Sequence, residues 1–595
     1  MSKELLKGAE FIIKESEKGN IFTPEDFNEE QKQIARTAEQ FVMNEIVPHL
    51  EKIDEQHFEY VVEGFKKCGE LGLLMLDAPE EFDGLEMDKA TNMLVSEKLA
   101  PGGSFLVAYA AHTGIGTLPL LYYGTKEQKQ KYLPKLISGE WVGAYALTEP
   151  DAGSDALGIR ATAVLSEDKK YYILNGTKQF ITNAGFAQLF TVFAKIDGQM
   201  TAFLVERDFE GVELGVEEKK LGIKGSSTRQ VILNNAKVPV ENVLGEIGKG
   251  HKIAFNILNV GRFKLGAAAV GASKYALQTA IKYANERTQF GKPIGSFGAI
   301  KEKIARELAD IYAAESLIYR LAGTLDEKLA TVDKSVPNYY EEYQKAVEEY
   351  SIECAIAKVF CSDVLGDVVD EVVQIFGGYG YVAEYPAERF YRDERINRIF
   401  EGTNEINRLV VTGMMLRKAM KGELPLQKEA LKAFEKMMTP SFDEIDTSTP
   451  YALEREHLKN LKTIFLAIAG AGVKKYMDKI ADEQEIIMAL ADMAIGIYAI
   501  ESAVLRAEKM LSNDKVLASK KELAMSAVKV FTFYQTEKIA QAAKKAIYFM
   551  EEGDTLIMLL SGLRRFTKYD ATGLLKHQRF LADTALSEDK YIFRY

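Results

Sequence analysis

The sequence predicts a mainly α protein with a central β domain. Three observations carry that reading. Apolar residues at helix spacing fill the chain before about residue 147 and after about residue 251. Between them lie short β-type runs separated by Gly, Asn and Asp turns. The 595 residues exceed one ordinary domain. The expected order is an α-helical N-terminal domain (1–147), a small β-barrel or sandwich (148–252), a four-helix bundle (253–421), a linker region (422–451) and an extra C-terminal helical bundle (452–595).

In the first segment, Ile34, Ala38, Phe41, Val42 and Ile46 mark one helix face, and Pro48 should kink or end that helix. Val61–Leu73 repeats the pattern, 79–84 breaks it, and Ala90–Leu99 resumes it. Gly114 and Gly116 interrupt the apolar stretch Tyr109–Tyr123; glycine is costly inside a helix, so something must pack closely there. The β runs are Val164-Leu165, Tyr171–Leu174, Phe190–Ala194, Thr201–Val205 and Gln230–Leu233. Asn175-Gly176, Asp197-Gly198 and Asn234-Asn235 are the turns between them. Four long helices follow at Ile253–Arg287, Ala299–Lys328, Tyr339–Val369 and Asn404–Lys421. Pro425, Pro440 and Pro450 mark the linker, with a partly helical middle. Beyond it, His457–Lys479, Glu483–Ser512 and Lys520–Glu551 are amphipathic.

Composition narrows the function. Lys and Arg number 75 against 87 Asp and Glu, a net charge of −12. That argues against nucleic acid and against simple docking on anionic lipid. Cys68, Cys354 and Cys361 are scattered and odd in number, and the six histidines form no ligand pair, so neither a disulfide framework nor a metal site is expected. Met1-Ser2-Lys3-Glu4 opens no signal or transit peptide, and Ile464–Val473 is too short for the ~20 residues of a membrane span. A bacterial cytoplasmic protein is the expectation. Gly245–Gly250 is not followed by Lys-Ser/Thr, and no Gly-x-Gly-x-x-Gly opens a helix after a first strand, which disfavours P-loop and nicotinamide chemistry.

Several stretches could carry chemistry. Ala144–Asp155 packs hydroxyls, Gly153 and Pro150 into one loop at the helix-to-β boundary; an ordinary Asx/Pro turn has the same composition. Phe180-Ile181-Thr182 sets an aromatic beside a hydroxyl, as a ring-binding site or a strand with one core aromatic would. Arg287 ends a long helix, where it could grip a phosphate or simply suit the helix dipole. In Arg398-Ile399-Phe400-Glu401-Gly402-Thr403-Asn404-Glu405-Ile406, a carboxylate meets a glycine where backbone can approach a ligand closely.

Taken in order, these stretches resemble the flavin-dependent acyl-CoA dehydrogenase family from about residue 28 to 420. Ala146-Leu147-Thr148-Glu149-Pro150-Asp151-Ala152-Gly153-Ser154-Asp155 is similar to one family signature. Gln374-x-x-Gly377-Gly378-x-Gly380-Tyr381-x-x-Glu384, continuing to Arg389 and Asp393, is similar to the other, and Phe400-Glu401-Gly402-Thr403 completes the match. Asn259–Phe263, Asn285–Gly291 and the C-terminal domain most resemble the very-long-chain branch.

The resemblance implies FAD held between the β domain and the bundle. Tyr145, Leu147, Thr148, Gly153 and Ser154 would line the flavin and the thioester end of the substrate. Phe180, Ile181 and Thr182 would cover the flavin ring; Phe stands where the family often has Trp, which keeps stacking but drops an N–H donor. Arg287, Phe290, Gln374, Gly377 and Gly378 would bind the pyrophosphate and adenosine, partly across a subunit interface, and Thr403 and Glu405 would touch FAD as well. Asn259 and Arg262 match positions near CoA, and Ser154 and Gly402 positions on the substrate side. Glu401 matches the catalytic base, whose burial should lift its pKa toward neutrality. An alternative base position in the family, just before the arginine matched by Arg262, is Gly261 here.

The implied reaction is α,β-dehydrogenation of long-chain acyl-CoA to trans-2-enoyl-CoA in β-oxidation, with electrons passed to an electron-transferring flavoprotein. Gly114 and Gly116 suggest a deep acyl tunnel. A homo-oligomer, dimer or tetramer, is implied; peripheral membrane contact through the C-terminal domain stays open. An acyl-CoA oxidase and a non-catalytic assembly protein on the same scaffold remain alternatives.

Overall fold

The computed structural model describes residues 5–439 and 449–594. Pro440 of the expected linker and the opening Met1–Glu4 lie outside the described residues.

Helices α1 (Glu29–Phe41), α2 (Leu50–Asp54), α3 (Phe58–Glu70), α4 (Lys89–Lys98), α5 (Ser104–Ala111), α6 (Leu118–Tyr123) and α7 (Lys126–Ile137) come first. A capping box opens α1: Asn28 accepts from the Gln31 backbone, and Gln31 returns the bond. Pro48 falls in a 3-10 turn, Val47–His49, after a π turn at Val42–Ile46, so the chain bends where proline demands it. Helix α7 was not anticipated, although its capping box, Thr125 with Gln128, stood in the sequence.

The β region is an eight-stranded mixed sheet among the described residues. Its strands are β1 (Gly143–Ala146), β2 (Thr162–Leu165), β3 (Tyr171–Thr182), β4 (Leu189–Ile196), β5 (Gln199–Glu206), β6 (Val212–Leu214), β7 (Thr228–Pro239) and β8 (Val243–Leu244). They run in the order β6-β7-β3-β2-β4-β5-β8, with β1 parallel to β4. Asp197 (φ 48°) and Gly198 (φ 78°) form the tight β4–β5 turn the sequence predicts. Asn175-Gly176 and Asn234-Asn235 are not turns. They lie opposite one another inside β3 and β7, where the register shifts after Leu174. Asn175 Oδ1 accepts from the Asn235 backbone at 2.9 Å, so two turn-forming residues satisfy each other across a bulge.

The bundle holds α8 (Gly250–Glu286), α9 (Gly298–Leu329), α10 (Tyr339–Glu348), α11 (Ser351–Phe376), α12 (Pro386–Glu394) and α13 (Asn404–Met420). The expected helix Tyr339–Val369 is two helices. Tyr350 breaks it at φ −105°, ψ 23°, and its hydroxyl is tied to the Leu6 carbonyl at 2.9 Å. Helix α14 (Leu426–Met438) is the helical middle of the linker. The remaining helices are α15 (Ala452–Tyr476), α16 (Gln484–Leu511), α17 (Ala518–Met550), α18 (Gly553–Phe566) and α19 (Leu574–Glu588), the last two beyond the expected pattern. Contrary to the expectation from sequence, three segments are long and apolar enough by composition to cross a membrane: 104–123, α8 and α16. At least 78% of each apolar window is buried inside this fold.

Buried charge ties the C-terminal helices to the rest. Arg506 of α16 meets Glu25 at 2.7 Å and Glu315 of α9 at 2.6 Å, beneath the Tyr312 ring. Arg320 of α9 and Lys462 of α15 meet on Glu501 of α16. Removing one member strands its partners in a dry environment. Arg506→Met is therefore expected to cost about 3–5 kcal/mol in chemical denaturation. Early proteolytic release of the C-terminal helices should accompany it.

Candidate active site

A cavity of about 1320 Å³ opens where the sheet, the α5 region and the bundle meet. The loop after β1 forms one wall. Within it Glu149 accepts from the Arg160 and Ala161 backbones and from Lys178, a pair with side chains 6% and 0% exposed. Burial pulls the Lys178 ammonium down to about 8 despite its carboxylate partner. That pair clamps the loop on β3, and Leu147, Thr148, Gly153 and Ser154 of the loop line the cavity with Tyr145 of β1. Beside the loop, where the Gln179 backbone donates to the Thr148 carbonyl, β3 shifts register between Lys178 and Ile181. Phe180 there adopts φ 58° and lies 62% exposed; with Ile181 and Thr182 it lines the same cavity.

Glu401 occupies the bundle side. Its backbone is left-handed, φ 58°, followed by Gly402 at φ 80°. A non-glycine residue there costs about 1–3 kcal/mol and needs neighbours that impose it. Asn407 Nδ2 donates to the carbonyls of Glu401, Gly402 and Thr403 at 3.3, 2.8 and 3.0 Å. Lys358 Nζ donates to the Gly402 carbonyl at 2.9 Å and to Asn404 at 2.6 Å. Arg262 Nε donates to the Glu401 carbonyl at 3.3 Å, and its Nη1 to Asn259 at 3.1 Å. Thr403 closes the loop by capping α13 through the Ile406 backbone.

These bonds hold the backbone and leave the carboxylate itself free to act. Glu401 Oε2 is buried without a hydrogen-bond partner. Burial pushes the carboxyl up to about 7, against the pull of Arg262 and Lys358. The carboxylate packs on Gly261, where a Cβ would sit 2.6 Å from Oε2. The position that lacks an alternative base is thus also one where a side chain would collide with Glu401.

Most sequence-predicted site residues meet here: Asn259, Arg262, Gly402 and Thr403 line the cavity with those already named. Glu405 does not; it is exposed on the first turn of α13. Arg287, Phe290, Gln374, Gly377 and Gly378 also lie off the cavity. They gather on one outer face, where Tyr283 stacks on Phe376 at 4.0 Å and Arg287 covers the Tyr379 ring at 5.3 Å. Phe290 is 93% exposed there. Lys178, Lys358 and Asn407 were missed, because single polar residues inside helices and strands carry no motif. Gly114 and Gly116 do not line the cavity. A Cβ on Gly116 would lie 2.8 Å from the Gly143 backbone, so that glycine serves the close approach of β1.

The raised Glu401 pKa has a stability cost with a defined sign. The folded state holds the proton more tightly than the unfolded chain, so stability is full below the ordinary value of 4.5 and falls as pH rises through about 7. Glu401→Gln is expected to raise the melting temperature at pH 8, by up to about 3 kcal/mol of stability, and to leave it nearly unchanged at pH 5.

Comparison with known proteins identifies the family. Family models described as acyl-CoA dehydrogenase N-terminal, middle and C-terminal domains match residues 28–140, 144–236 and 248–416; a second C-terminal domain model matches 460–565. A probable acyl-CoA dehydrogenase of Bacillus subtilis is 46% identical over 99% of both chains. The human mitochondrial very long-chain specific acyl-CoA dehydrogenase is 36% identical over 82% of this chain and 76% of its own. A crystal structure of an acyl-CoA dehydrogenase complexed with FAD from Bacillus anthracis superposes with a TM-score of 0.95 at 47% identity, covering 99% of this chain and 100% of that one. With the signature loops, Glu401 and three matched domains in one chain, this protein belongs to the acyl-CoA dehydrogenase family.

Proposed function

We propose that the protein is an FAD-dependent dehydrogenase of long-chain fatty acyl-CoA thioesters, with Glu401 as the base that removes the α-proton. The observation that carries this is a buried, unpartnered carboxylate oxygen with a pKa near neutrality, facing a large cavity. The residues present fit FAD. Phe180 offers an exposed ring face, Thr148, Ser154 and Thr182 bring hydroxyls, and an added Cβ on Gly153, Gly377 or Gly378 would meet nothing within 4 Å. Bound FAD supplies the two-electron acceptor that no side chain here can replace.

The remaining roles fall to the chain itself. Thr148, Gly153, Ser154, Phe180, Ile181, Thr182 and Thr403 hold the flavin ring, and Tyr145 and Leu147 support it. The Glu401 backbone N–H polarises the thioester carbonyl, which makes the α-proton acidic. Asn259 and Arg262 face the CoA moiety. Arg262 and Lys358 offset the charge of the ionised base, so Glu401 can lose its proton near neutral pH. The outer face around Arg287, Phe290, Gln374, Gly377 and Gly378 meets the adenosine half of FAD bound to a second copy, in a homo-oligomer; its exposed Phe290 and Tyr381 support that reading. The enoyl-CoA product belongs to fatty-acid oxidation, and an electron-transferring flavoprotein takes the electrons. Long chains are favoured by the similarity to the very long-chain relatives. Three buried, unbridged thiols suit a reducing bacterial cytoplasm.

Anaerobic titration with saturated acyl-CoAs, followed by flavin absorbance, tests the assignment. Wild-type protein is expected to bleach. Glu401→Gln is expected to bind without bleaching, a loss of at least about 10²–10⁴-fold in the reductive rate. Flavin that no acyl-CoA reduces would defeat the substrate assignment, and rapid reoxidation by oxygen would favour an oxidase. Lys358→Met removes a cation that favours ionised Glu401, so the acid limb of the rate profile should move to higher pH, while Lys358→Arg keeps it in place.

A further inference from the structure

Lys264 lies three residues past Gly261 on α8, about 4.5 Å farther along the axis. It lines the large cavity, yet its side chain is only 5% exposed. The stem crosses toward the π turn 112–116, since a Cβ on Gly114 would lie 3.6 Å from Lys264 Cδ. The ammonium reaches Asp77 Oδ2 at 3.0 Å and the Thr113 carbonyl at 3.4 Å. Neither Asp77 nor Thr113 lines the large cavity. Both line a separate void of about 10 Å³, walled otherwise by groups such as Leu73, Leu76 and Ile137. The Lys264–Asp77 pair is therefore the partition between the two spaces. Asp77 is anchored from the far side by Lys89 at 2.6 Å, so the partition is braced on both faces.

We propose that Lys264, pinned by Asp77, is the end wall of the acyl pocket and sets the longest fatty acyl tail the enzyme can hold. The inference rests on the acyl-CoA reading of the site. A tail that grows past the wall must push the stem aside. That strips a buried carboxylate of one of its two ammonium partners, a loss one more buried methylene does not offset. Below the limit, each added methylene buries more apolar surface and should tighten binding about fourfold.

Calorimetric titration of the flavin-loaded Glu401→Gln protein with saturated acyl-CoAs of increasing length tests this, because the ligand is bound but not consumed. In that parent, affinity is expected to rise with length and then stop rising. With Lys264→Ala added, the rise should continue for about two further methylenes at about fourfold each. Lys264→Met keeps a stem of similar length but loses the bond to Asp77, so the unpinned stem should yield and the rise should continue past the parent's limit. If the alanine variant does not fold, Lys264→Leu serves in its place and should extend the limit by about one methylene. The proposal is overturned if a variant with the shortened stem binds short chains as the parent does and stops at the same length. It is also overturned if the parent shows no limit. A parent that binds no acyl-CoA of any length defeats the functional reading itself, a separate and recognisable result.

Discussion

Everything at the site depends on one side-chain amide holding a strained loop. Asn407 Nδ2 reaches three successive carbonyls, those of Glu401, Gly402 and Thr403. Its N–H groups offset the cost of a left-handed glutamate and stop the loop from relaxing into the helix that follows. Lys358 and Arg262 add charged donors to the same carbonyls. With the backbone so fixed, the Glu401 side chain can project into the cavity against Gly261.

The same donors settle the electrostatics. They bind the backbone and leave Glu401 Oε2 unpaired, so the carboxyl is buried without being neutralised by a direct ion pair. Had Arg262 gripped the carboxylate, the pKa would fall and the group would be a poor base. Distance from its two cations leaves Glu401 near neutrality at the expense of stability at alkaline pH. The clamp on the opposite wall is a direct pair, Glu149 with Lys178, and there the structure needs rigidity and no proton transfer.

The cavity is completed by elements far apart in sequence, which explains the buried charge spread through the molecule. Asp77 joins Lys264 of α8 to Lys89 of α4. Glu315 of α9 meets Lys274 of α8 and Arg506 of α16. These pairs contribute little net stability compared with apolar packing, but each accepts only its own register, so they fix how the layers sit on one another.

Much of this was legible in the chain. Helical periodicity, the change to short β runs and the proline-rich linker follow from local rules of spacing and backbone chemistry, and the signature loops carried Thr148, Phe180 and Glu401. Local signals misled where a tertiary partner changed their meaning. Asn175-Gly176 and Asn234-Asn235 each favour a turn alone, but facing one another they share hydrogen bonds and become one bulge. Gly116 looked like space for a substrate and is space for the Gly143 backbone. Lys358, Asn407 and the Lys264–Asp77 pair have no local signature, because a buried polar group is defined by its partners, here 4–187 residues away. The sequence by itself determined most of the elements, the family and the candidate base, Glu401. Only the tertiary structure decided that carboxylate's pKa, its strained loop and the pairing of Lys264 with Asp77, since burial and pairing exist only once distant segments meet.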